Sequence, residues 1–127
     1  SDLGPNVLGV EALQGDDGCT GVKVNTADGY ADYLFSATDM QAHHPSKRVS
    51  FCGGLGLIRE KEGQIQLMYL GCGRSLKKGN FVLESDHDVY AAIYMQHGVW
   101  YYSATGPVRV KIGKETKELN EGYNQKL

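Results

Sequence analysis

Between Lys47 and Lys78 the chain reads KRVSFCGGLGLIREKEGQIQLMYLGCGRSLKK, and no helix of useful length fits there. Glycine recurs too often, since each one in a helix interior costs about 1 kcal/mol relative to alanine. Around Arg48–Phe51 and Gln64–Tyr69 polar and apolar residues alternate, which is the period of a strand with one dry face and one wet face. Gly53-Gly54, Glu62-Gly63 and Gly71-Cys72-Gly73 cut the apolar runs. The stretch therefore predicts about three or four antiparallel strands joined by tight turns, with Leu57 and Leu67 in the core.

The same grammar extends in both directions. Leu8–Leu13 reads as a first strand after a loose start containing Pro5. Gly15-Asp16-Asp17-Gly18 is a turn signal, and Cys19–Asn25 pairs back as a hairpin. Ala27-Asp28-Gly29 turns again into Tyr30–Ser36, and residues 37–46 form a surface loop. Beyond Lys78, Gly79-Asn80 predicts a type I′ hairpin turn leading into Phe81–Ser85. Asp86-His87-Asp88 predicts a further turn, followed by Val89–Gln96. That last segment tolerates a helix at Ala91-Ala92-Ile93, but it is short and lies between turns, so a strand is expected. Val89, Ala91, Ile93 and Met95 then face inward. Val99–Ser103, Pro107–Ile112 and Gly122–Lys126 complete the chain. The sum is an all-β protein, an antiparallel β-sandwich of about ten to twelve short strands at roughly ten-residue spacing.

A chain of 127 residues is the size of one domain with one modest core, so residues 1–127 are expected to form a single unit. With 17 glycines against 3 prolines, the composition fits many turns rather than disorder. The formal charge of -2 gives no overall attraction to nucleic acid or to an anionic membrane. No apolar run approaches the roughly 20 residues that span a bilayer. No signal peptide opens the chain, which reads as a mature form or an excised fragment. Cys19, Cys52 and Cys72 contain no C-x-x-C pair. A Cys52–Cys72 bridge is open on spacing, and three free thiols is the expected state.

Candidate chemistry is sparse. His43 and His44 with Asp86, His87 and Asp88 would make a metal site if their loops met, but adjacent histidines on a strand point to opposite faces and nothing fixes that approach. A solvated loop is the expectation, with no metal and no cofactor. The run His43–Arg48, with Arg74, Lys77 and Lys78, is the densest positive patch. It could contact sulfate or carboxylate groups of an acidic polysaccharide, but Glu60, Glu62, Asp86 and Asp88 balance it, and ordinary solvated loops are the expectation. Trp100-Tyr101-Tyr102 and Tyr94 form an aromatic cluster. Trp100 and Tyr102 share one strand face, expected to be core, and Tyr101 takes the other, where a flat ring can stack on a sugar. No G-x-S-x-G, phosphate loop or H-E-x-x-H is present.

Several segments in order, ADYLFS (Ala31–Ser36), GLGLIRE (Gly54–Glu60), IQLMYLGCGRSL (Ile65–Leu76), GNFVLESD (Gly79–Asp86) and GPVRVKIG (Gly106–Gly113), carry a family resemblance. The chain, from Leu8 to Leu119, resembles the C-terminal β-domain of heparinase II/III-like polysaccharide lyases. The resemblance implies a β-sandwich packed against neighbouring domains of a parent lyase, in a secreted or periplasmic enzyme acting on acidic polysaccharides. Those lyases remove the proton alpha to a uronate carboxylate, with Asn, His and Tyr on other domains. No catalytic residue carries over, so this chain is not expected to be an enzyme by itself.

Three roles follow. The first is a non-catalytic structural domain that covers a neighbour and frames a glycan cleft. The second is a carbohydrate-binding module for acidic polysaccharides, using Tyr101, Tyr94, Lys47, Arg48, His43 and His44. The third is a small β-barrel enzyme with a cleft at one open end.

Overall fold

The computed structural model describes residues 7–13 and 18–127. Among them are ten strands and no helix: β1 (Val7–Leu13), β2 (Cys19–Thr26), β3 (Tyr30–Ala37), β4 (Val49–Lys61), β5 (Gln64–Lys78), β6 (Phe81–Gln96), β7 (Val99–Ala104), β8 (Val108–Ile112), β9 (Glu115–Leu119) and β10 (Gly122–Lys126). No helix of the described residues is long and apolar enough to cross a membrane. Pro5 and the Gly15-Asp16-Asp17 portion of the expected first turn lie outside the described residues.

All pairings are antiparallel and belong to one sheet that folds over on itself as a sandwich. The three central strands, of 13, 15 and 16 residues, run through both layers. Of β4, β3 pairs with the second half alone, from Leu55 to Lys61. Of β6, β8 pairs with the start alone, from Phe81 to Glu84, and β7 with the end alone, from Ala91 to Gln96. One layer is thus β1-β2-β3-β4-β5-β6-β7-β10, and the other consists of the opposite halves of β4, β5 and β6 followed by β8 and β9. Phe51 on the first half of β4 meets Phe35 of β3 with ring centroids 6.0 Å apart, and Phe81 meets Trp100 at 6.0 Å. Both contacts cross the core, where Ile58, Met68, Leu70, Leu76, Leu83 and Ile93 are fully buried.

The bends explain several departures from the sequence reading. Between Lys47 and Lys78 lie two long strands rather than three or four. Gly53-Gly54 and Gly71-Cys72-Gly73 do not end strands. Gly53 pairs with Gly73 and Leu55 with Gly71, so the glycines face one another where the sheet turns its corner. Asp86-His87-Asp88 is likewise inside β6. Residues 85–88 there oppose Arg74 alone, and the slack is pinned by Arg74 Nε donating to Asp88 Oδ1 at 2.8 Å and Ser85 Oγ donating to the Pro107 carbonyl at 2.7 Å. At the β5–β6 turn Gly79 has φ 58° while Asn80 is not positive, the pattern of a type II′ turn rather than type I′. Glu62-Gly63 (53° and 78°) and His97-Gly98 (53° and 78°) are positive at both positions, as type I′ requires. The strand Glu115–Leu119 was not foreseen, because ETKEL carries no apolar alternation.

Ile93 is buried as expected, but Leu57 and Leu67 are half-buried on the outer face, while their neighbours Ile58 and Met68 are fully inside. Buried positions on β4 run Val49, Phe51, Gly53 before the bend and Gly56, Ile58 after it. On β5 an extra residue, Gln66, separates the Arg59–Leu67 and Glu60–Ile65 pairs. A shift of one residue exchanges the two faces of a strand. Leu67→Ala is accordingly expected to cost no more than about 1 kcal/mol in a denaturant titration, well short of a core leucine truncation at about 2–5 kcal/mol. A loss within that core range would place Leu67 inside after all.

Among the described residues no disulfide is formed; Cys19 and Cys52 are half-buried and Cys72 is exposed. Cys52 faces Ser75 across the ladder, with the Gly53–Gly73 pair between it and Cys72, and its Sγ donates to the Met40 carbonyl at 3.2 Å. Burial pushes the Cys52 thiol above its ordinary range.

Candidate functional site

Directly opposed residues of an antiparallel sheet point to the same face. Across the eight-stranded layer this aligns Val22, Leu34, Leu57, Tyr69, Ala92 and Ser103 in one outward row. The row starts with bulky groups and ends in small ones, so the surface steps down at Ala92 and Ser103. Tyr69, Tyr90 and Tyr123 stand around that step and, with Glu121, enclose an open depression of about 570 Å³. Small-ligand sites commonly measure about 300–1,000 Å³.

Local backbone devices aim each ring. Tyr69 lies over Gly71, where a Cβ would meet its Cε2 at 3.0 Å and its hydroxyl at 3.2 Å. Tyr90 sits opposite a bulge: Gly71 and Cys72 on β5 face it alone on β6, with Cys72 at φ 50°. Its N–H donates to Thr105 Oγ1 at 3.0 Å, and its carbonyl accepts from the Thr105 N–H at 3.0 Å. The charge that Cys72 carries when ionised, and the hydrogen bond between the two side chains, push the Tyr90 phenol above its ordinary range. Tyr123 belongs to a second bulge, since Tyr123 and Asn124 together oppose Ser103, with Asn124 at φ 50°. The Asn124 N–H donates to Ser103 Oγ at 2.9 Å, and its side-chain oxygen accepts from the Tyr94 hydroxyl. Bulges of this kind re-aim side chains at functional sites. Tyr90 is 54% and Tyr123 77% exposed, high for aromatic rings.

The residues expected to bind glycan are distributed differently. Tyr94 and Tyr101 oppose one another on this outer face, stacked with centroids 6.0 Å apart and planes 19° from parallel. They cover one another, and Tyr94 buttresses Asn124 beside the depression. Trp100 is half-buried against the core and Tyr102 is buried, so the expected division of faces among these three residues holds. His43 is 4% exposed; it bridges to Phe51 of β4, and its Nε2 lies 2.7 Å from Asp39 Oδ1. It covers the edge that the first half of β4 exposes once β3 has left it. His44, Lys47 and Arg48 are exposed, and the Arg48 guanidinium lies over Gly79 at the β5–β6 turn. These basic residues belong to the other layer from the tyrosines, so the structure does not join them into one surface. Among the described residues no group of three or more His, Cys, Asp or Glu side chains could hold a metal ion.

Tyr69, Tyr90 and Tyr123 were missed by sequence reasoning. Tyr90 alternates with Ala92 and Tyr94 on the face opposite Val89, Ala91 and Ile93, so its outward direction was readable. A sequence model of the endo-acting ulvan lyase C-terminal domain matches residues 7–95 of the chain. Tyr69 and Tyr90 fall inside that match and Tyr123 beyond it. No curated protein and no solved structure gives a match.

Proposed function

Because the chain belongs to the endo-acting ulvan lyase C-terminal domain family, we propose that it serves a polysaccharide lyase as a non-catalytic, glycan-holding β-sandwich. The observation that carries this reading is the triad Tyr69, Tyr90 and Tyr123 around a floor of Ala92 and Ser103. Flat apolar faces with a hydroxyl at the rim suit the C–H face of a sugar, and small floor residues let the ring approach. The non-catalytic part is supported by the family, which is the C-terminal domain of a lyase. Neighbouring domains of a parent lyase, a secreted or periplasmic location and a kinship with heparinase II/III-like lyases complete the proposal.

A second reading, a domain that only covers a neighbour, is favoured by the edge strand β1. There Val7, Leu8 and Val10 are 43%, 71% and 65% exposed. An apolar open edge is a natural place for another domain to dock. Calorimetric titration with ulvan oligosaccharides separates the two. Binding in the region of about 0.1–1 mM is expected, and Tyr90→Ala and Tyr123→Ala should each weaken it roughly fivefold, the worth of about 1 kcal/mol per aromatic contact. Heat signals indistinguishable from dilution would leave the covering role alone.

A further inference from the structure

From the polarity of β1–β5 we infer that their outward face is a self-association surface, occupied by a second copy of this chain. At this margin of the sandwich the usual polarity is inverted. Glu11, Lys23 and Tyr33 oppose one another in a row that ends on Ile58, which is fully buried, so that row faces the other layer. Asn25, opposite Gly9, lies on the same side. The outward side instead carries Val10, Val24, Ala12, Val22, Leu34 and Leu57, with Leu67 beyond them on β5. Val10 is 65% exposed, and Leu55 on the same face 45%. A contiguous apolar face of this kind marks a protein contact.

The charges on this face select the occupant. Among the described residues of its rows across β1–β5, the charged side chains are Asp32, Arg59 and Lys61. Arg59 donates from Nε to Asp32 Oδ1 at 2.8 Å and from Nη2 to Asp32 Oδ2 at 2.9 Å. Lys61 Nζ lies 5.0 Å from the centre of the Tyr30 ring. Asp32 and Tyr30 stand on β3, directly opposite Arg59 and Lys61 on β4. A two-fold axis along the strands, between β3 and β4, therefore sets Asp32 of each copy over Arg59 of the other, and Tyr30 over Lys61. The same operation lays Leu34 on Leu57, Val24 on Leu67 and Val22 on Tyr69, so no charge meets a like charge. Three residue rows across the six strands β1–β6 measure about 20 Å by 29 Å, and a pair of copies covers roughly 1,100 Å², enough for a weak specific dimer. Ala12 falls on Ala92, so on the glycan-holding reading a sugar seated in the depression and a second copy exclude one another.

The test is analytical sedimentation of the whole chain over roughly 2–300 μM. A monomer–dimer equilibrium with a Kd of about 10–100 μM is expected for a contact of this size. Leu57→Glu should weaken it at least about tenfold, and so should Asp32→Arg or Arg59→Asp alone, because each lays like charge on like charge across the axis. Asp32→Arg and Arg59→Asp chains mixed in equal amounts should pair again, since opposite charges then meet at both positions. Variants are compared at matched circular dichroism, so that loss of pairing is not loss of fold. Wild-type chain that stays monomeric over the whole range overturns the inference and gives the face to a different protein. A dimer indifferent to Leu57→Glu overturns it, as do charge variants that stay monomeric when mixed. Ulvan oligosaccharide that calorimetry shows bound, without any loss of dimer, overturns the two-fold arrangement.

Discussion

Phe51→Ala is expected to lower the free energy of unfolding by about 3–5 kcal/mol, at the upper end of what one side chain does in a domain whose total is about 5–15 kcal/mol. Phe51 is fully buried, and its ring joins the layers by meeting Phe35 at 6.0 Å. The size of the expected loss comes from what surrounds it. Cβ atoms at Gly56 and Gly53 would stand 2.9 Å and 3.2 Å from its Cε1, so the ring rests directly on main chain. Truncation leaves a void that these glycines have no side chains to fill, and the cost of a core truncation grows with the cavity that persists. Urea unfolding monitored by intrinsic fluorescence should show the midpoint moving with little change of slope. A loss below about 1 kcal/mol would mean that the layers are not held together through this ring.

Gly73→Ala should cost about 3 kcal/mol, the top of the range for forcing one extra carbon into a packed interior. A Cβ there would lie 2.6 Å from Leu70 Cδ1, 2.8 Å from the Cys52 carbonyl oxygen and 2.8 Å from Gly53 Cα. A leucine methyl can move, but the other two atoms are main chain of the partner strand, so β4 and β5 would have to part at the corner. Gly54→Ala is the matched control. Its nearest neighbour is the Gly71 carbonyl oxygen at 3.4 Å, and a change within about 0.5 kcal/mol is expected. Equal thermal shifts for the two variants would show that the corner does not depend on the absence of a side chain at Gly73.

Strand identity was legible in the sequence because alternation is local: Gln64–Tyr69 and Val89–Gln96 state their period within a few residues. Strand length was not. A Gly-Gly pair reads as a turn in isolation, and only the distant partner Gly73 makes Gly53 a corner within a longer strand. Asp86-His87-Asp88 misleads in the same way, since the bend it makes is held by Arg74 from the neighbouring strand. Faces were legible up to the nearest bulge. The phase of Val89, Ala91 and Ile93 carried through because no extra residue falls among them, whereas Gln66 moved Leu67, and Tyr69 with it, to the outside. Tyr123 was harder still, because its direction depends on Asn124 at φ 50° and on a hydroxyl from Ser103, from which β8 and β9 separate it in sequence.

The corner-turning of β4, β5 and β6 also governs how this molecule can come apart. In a sandwich of two separate sheets, the sheets are connected by loops and can in principle loosen as independent cooperative units. Here each of the three central strands is a single hydrogen-bonded ribbon through both layers. Opening one layer therefore frays the same ribbons that build the other. The elements left free to detach singly are the peripheral ones: β1 at one margin, β9 at another and β10 at a third. Since β10 carries Tyr123, the aromatic wall of the depression stands on a margin able to lift while the central ribbons stay intact.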